Sequence, residues 1–138
     1  MCDALSPADF QAVGISQATP PKANVQENGA SAYCIYAGKS SATGGLELDI
    51  FYPAGGNPTE VKGTYDTSLS ESSTVWLPIS VPGVDEAKWF PKALSGGPAF
   101  ATLALRRGNL VMVLGIPAGP NAQAQLLKLV DVALKRLK

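Results

Sequence analysis

Cys2 and Cys34 are the two cysteines of this 138-residue chain, and no histidine accompanies them. Two thiols without an imidazole point to a disulfide before they point to catalysis. Cys34 lies in Ser31-Ala32-Tyr33-Cys34-Ile35-Tyr36, which reads as a strand, and Cys2 lies just before a well-capped helix start. The pair therefore reads as a staple between helix and sheet, formed in an oxidising compartment. Such a bridge closes a loop of about 32 residues, which the chain-entropy description values at roughly 3–4 kcal/mol. Two competing readings are a buried, reduced core thiol at Cys34 and a lipid attached to Cys2 at the mature N-terminus of an exported lipoprotein. The disulfide is preferred because small exported domains commonly use cysteine in this way.

The missing histidines exclude a Ser–His–Asp or Cys–His arrangement within the chain, and two cysteines cannot fill a structural zinc site. Carboxylates remain available for acid–base work. Glu47 and Asp49 share one strand face at i and i+2, and Asp85-Glu86 is a second pair. A small hydrolase or isomerase would draw on acids such as Asp49 and Asp85. Surface strands, however, often carry such pairs without chemistry, and no catalytic residue is assigned. Arg106-Arg107 reads as a solvated turn ahead of an anion site. Gly44-Gly45, Gly55-Gly56 and Gly96-Gly97 lack the lysine or helix-opening spacing of a phosphate loop and read as turns. Trp76 and Trp89 bracket a segment rich in Val, Pro and Phe. They are the ligand-binding candidates, with core and loop packing as the ordinary alternative for tryptophan. No metal ligand or cofactor is assigned.

Composition narrows the partners. Charged residues make up 16% of the chain, below the roughly 25% usual in soluble proteins, and the formal net charge is zero. No basic field exists to attract phosphate backbones, so nucleic acid is not an expected partner. The longest apolar run, Leu110 to Ile116, is strand-sized, well short of the roughly 18 residues of a membrane span. Membrane attachment is then expected only through a lipid on Cys2. No signal peptide is visible, and Met1 reads as standing where an export signal was removed. The expected location is extracytoplasmic: periplasmic, secreted or at the cell envelope.

Positioning these residues falls to a single domain, 1–138, with 46% hydrophobic residues. Ser6-Pro7-Ala8-Asp9 combines an N-cap, a proline at the first helical position and an acid at the third, with Leu5 and Phe10 at the spacing of a hydrophobic staple. Gly14 supplies a stop. Residues Ser16 to Gly29 read as a loop. Strands follow at Ala32–Ala37 and Leu46–Tyr52, joined through Gly38–Gly45. Asn57-Pro58-Thr59-Glu60 repeats the cap logic, and Val61, Tyr65 and Leu69 mark one helical face. In Thr74–Ser80, Pro78 restricts any strand to an edge. Glu86–Phe90 is a further short strand. Ala99–Arg106 and Leu110–Ile116 form a hairpin through Gly108-Asn109, apolar on both faces, and need a cover. The helix Ala122–Leu137, with Leu126, Leu127, Val130, Leu134 and Leu137 as its buried stripe, is the candidate cover. The fold class expected is α+β: an antiparallel sheet of about five strands, with N- and C-terminal helices packed mainly on one face.

Several segments together resemble an uncharacterised family of cell-envelope lipoproteins best known from actinobacteria. These are Cys2-Asp3-Ala4-Leu5-Ser6-Pro7-Ala8-Asp9-Phe10 ending in Val13-Gly14, Cys34 between Tyr33 and Tyr36, and Val81-Pro82-Gly83-Val84-Asp85-Glu86-Ala87, similar to the family's central Gly-x-Gly-Asp-x-Ala segment with Val84 in place of glycine. The hairpin at Arg106-Arg107-Gly108-Asn109 and the closing helix also match. The resemblance implies an extracytoplasmic α+β domain and no catalytic residues. The function expected is a non-enzymatic domain binding a partner protein or ligand at the cell envelope. A carboxylate enzyme and a purely structural envelope protein are the alternatives.

Overall fold

The computed structural model describes residues 1–25, 30–37, 46–52, 57–70, 75–93 and 100–137, the side chains of 92, 93 and 100 excepted. The 38–45 linker, the three glycine pairs, and Thr74 and Ala99 at the ends of expected strands lie outside them. The chain runs α1 (Pro7–Ala12), β1 (Lys22–Val25), β2 (Ser31–Ala37), β3 (Leu46–Phe51), α2 (Pro58–Ser70), β4 (Leu77–Pro78), β5 (Glu86–Ala93), β6 (Phe100–Arg107), β7 (Leu110–Pro117) and α3 (Ala122–Arg136).

All strands form one antiparallel sheet in the order β1-β2-β3-β7-β6-β5-β4. Two meanders, β1-β2-β3 and β4-β5-β6-β7, are thus joined side by side through β3 and β7, with α2 as the chain link between them. The α+β class holds, but the described residues form seven strands rather than about five. β1 escapes the sequence pattern because all four of its residues are exposed, so no apolar alternation marks it. β4 is the two-residue edge strand to which Pro78 confines its segment.

Side-chain alternation divides the sheet between two cores. Ala32, Cys34, Tyr36, Leu46, Leu48, Ile50, Ala101, Leu103, Leu105, Leu110, Met112, Leu114 and Ile116 face α1 and α3. Ala104 and Val111 face the other way and meet Val61 and Tyr65 of α2. The hairpin β6–β7 is therefore covered on both sides, which explains its doubly apolar sequence. The N- and C-terminal helices share a face as expected, and α2 takes the opposite one.

Local chemistry sets the helix ends. The Ser6 N–H and hydroxyl both donate to the Asp9 carboxylate, at 2.7 and 2.8 Å, and Asp9 N–H donates back to the Ser6 carbonyl at 3.0 Å. Asn57 Oδ1 accepts the Glu60 N–H at 2.9 Å. Gly14, with φ +88°, provides the left-handed residue beyond α1. At six residues α1 is too short to stand alone. α3 holds it from both ends: Arg136 donates to Asp9 at 2.6 and 3.2 Å and to the Ala4 carbonyl at 3.2 Å, while Gln125 Nε2 donates to the Val13 carbonyl at 2.9 Å. The two helices consequently run antiparallel. The buried stripe of α3 is Ala122, Leu126, Leu129, Val130, Ala133 and Leu134, with Leu137 following. Leu127, expected in that stripe, is only half-buried on its flank, and Leu129 takes the central place.

Candidate functional site

Cys2 and Cys34 are joined by a disulfide, with their Cα atoms 5.5 Å apart. Alternation along β2 turns Cys34 toward α1, where it is fully buried. Tyr36, two residues on and on the same face, packs its ring 4.9 Å from Phe10 of α1 and donates its hydroxyl to the Cys2 carbonyl at 2.9 Å. Burial pushes the Tyr36 phenol up to about 12, because the phenolate would lose its hydration there. The bridge and this hydrogen bond fasten the N-terminal segment to the second strand of the sheet. The geometry at Cys34 is that of the expected staple between the N-terminal segment and the sheet.

The two expected acid pairs do not converge on one site. Glu47 and Asp49 lie half-buried on the α2 side of β3, with Tyr33 and Ile35 of β2 beside them and Tyr33 edge-on to Phe51 at 5.7 Å. Asp85 instead locks the β6–β7 turn: its Oδ2 accepts the Gly108 N–H at 2.8 Å and lies 3.7 Å from Arg106. Glu86 accepts Arg106 Nε at 3.0 Å and Lys62 Nζ at 3.2 Å, tying α2 to the sheet. Burial works against the charged form of Glu86, but those two donors outweigh it and hold its carboxyl below the usual value. The same balance holds at Asp9, where burial is outweighed by Arg136 and Ser6. Asp49 pairs with Val113, Val113 with Ala104, and Ala104 with Lys88, so three strand spacings, about 14 Å, separate Asp49 from β5. That distance is too great for Asp49 and Asp85 to act as an acid–base pair on one bond.

The arginines are likewise engaged. Arg106 is held by the two acids, and Arg107 donates to the carbonyls of Leu134 (3.0 Å) and Leu137 at the end of α3. Arg107 thus satisfies carbonyls that a helix end leaves without partners. Among the described residues, no three histidine, cysteine or acidic side chains cluster as metal ligands. No helix of those residues is long and apolar enough to cross a membrane.

The two tryptophans fall on opposite faces of the sheet and do not form one platform. Trp76 belongs to the α2 side, donating Nε1–H to the Leu69 carbonyl at 2.8 Å and meeting Phe90 edge-on at 4.5 Å. That is packing. Trp89 projects toward the α1–α3 side of β5, paired across strands with Leu77 and with Leu103. α3 packs on β6 and β7, so the β5–β4 end of this face lies outboard of the helix. There Trp89, Ala87, Ile79 and Val81 are half-buried, Leu77 is 41% exposed, and Val75 just before it is 79% exposed. The result is an apolar strip at the sheet edge. Its sequence signal was the run Val75-Trp76-Leu77 ending on an edge-restricting proline, which placed apolar side chains where little could cover them.

Two adjoining clefts, of about 300 and 220 Å³, lie elsewhere, between the end of α1 and the start of α3. Asn121 and Gln125 line both, and Lys128 borders the larger. Neither reaches Trp76 or Trp89. No family model matches this chain, and no curated protein or solved structure shows significant similarity to it.

Proposed function

We propose that this is a non-enzymatic extracytoplasmic domain that binds a protein partner at the cell envelope through the strip of Val75, Leu77 and Trp89. The observation that carries this reading is the strip itself: Leu77 exposed on the edge strand opposite a half-buried Trp89, with Val75 exposed two residues before it, outside the cover of α3. Exposed apolar clusters of this kind mark interaction surfaces, and tryptophan dominates the energetics of many interfaces. Among the described residues Val75 and Leu77 are exposed at the sheet edge, a surface suited to a protein partner, whereas a small ligand needs a concavity that encloses most of its surface. A protein partner brings its own apolar surface to match.

The bridge supports the compartment, since disulfides persist in oxidising surroundings. It also bears on the lipoprotein resemblance. A sulfur bonded to Cys34 cannot also carry a thioether-linked lipid, so bridged and Cys2-lipidated forms exclude one another, and the bridged form is the one we favour. The separation of Asp49 from Asp85 weighs against a carboxylate enzyme.

A photo-crosslinking residue at position 77, with position 128 as control, tests the surface in the envelope of the source cell. One discrete protein adduct from position 77, absent from position 128, is the expected result. Equal adducts at both positions, or none at 77, would overturn the assignment.

A further inference from the structure

No further inference is drawn: the strongest candidate, the half-covered face of β2 and β3 where Glu47 and Asp49 lie beside Tyr33 and Phe51, is an acidic pair on an open sheet face, and nothing in the structure shows what covers it.

Discussion

Tyr65 and Tyr36 are both buried tyrosines, yet their hydroxyls meet different fates. Tyr36 donates to the Cys2 carbonyl, whereas the Tyr65 hydroxyl, beneath α2, has no hydrogen-bond partner among the described residues. A buried polar group without a partner carries its full desolvation cost. Replacing it by hydrogen therefore removes a penalty, and Tyr65→Phe is expected to leave stability unchanged or raise it by up to about 1 kcal/mol in urea titrations. Tyr36→Phe, which deletes a made bond, is expected to cost about 1 kcal/mol at pH 7. The same residues set the alkaline limit. Burial pushes both phenols up to about 12 from an ordinary value of 10.0. The unfolded chain thus ionises first as pH rises, so the stabilisation by the neutral phenols is complete below pH 10 and is lost between about 10 and 12. A stability–pH profile is expected to fall across that window, and to fall less steeply in either phenylalanine variant. At this scale the sequence was legible where partners are close along the chain. Ser6 with Asp9, Asn57 with Glu60, and Gly108 in its turn could all be read directly. Arg107 and Arg136 could not, because their partners lie 27 to 132 residues away and no local pattern announces them.

Along α3, the side that faces the sheet follows the 3.6-residue period, but the period alone leaves its flanks undecided. Leu127 and Leu129 are both leucines within the expected span, and only packing on β6 and β7 distinguishes them. Leu129 is fully buried, so Leu129→Ala leaves a cavity and is expected to cost about 2–5 kcal/mol. Leu127→Ala, on the half-buried flank, is expected to cost less than half as much. Chemical denaturation of the two single variants checks the order, and equal losses would contradict the assigned stripe. The doubly apolar β6–β7 hairpin announced that both of its faces needed cover. Its sequence did not reveal that α2 takes one of them, because the short stripe of Val61, Tyr65 and Leu69 suits either face equally. β1 was invisible for a related reason. An exposed edge strand buries no side chain, so its pairing rests on backbone hydrogen bonds that residue types do not record.

For the molecule as a whole, the sheet is two meanders joined at β3 and β7, and the helices complete the join. α2 links the meanders across one face, while α1 and α3 lie antiparallel over the other. The disulfide acts on this arrangement by restricting the unfolded chain. Reduction, or Cys34→Ser together with Cys2→Ser, is expected to lower stability by about 3–4 kcal/mol, read as a lower thermal midpoint under reducing than under non-reducing conditions. The burial of Leu5 and Phe10 and the hold of Arg136 and Gln125 on α1 do not pass through the sulfurs, so the native fold is expected to persist with a reduced margin. The expected location was the least legible property: the residues offered a bridge, and only the compartment it implies spoke to address.

The contacts of α1 differ in when they can form. The bridge joins positions 32 residues apart, whereas Asp9 and Arg136 are separated by 127. In a chain made from its N-terminus, both cysteines are present before any of α3. The first helix must wait for the last one to be clamped, whereas the sulfur bond and the contacts of Tyr36 with Cys2 and Phe10 need only the first 36 residues.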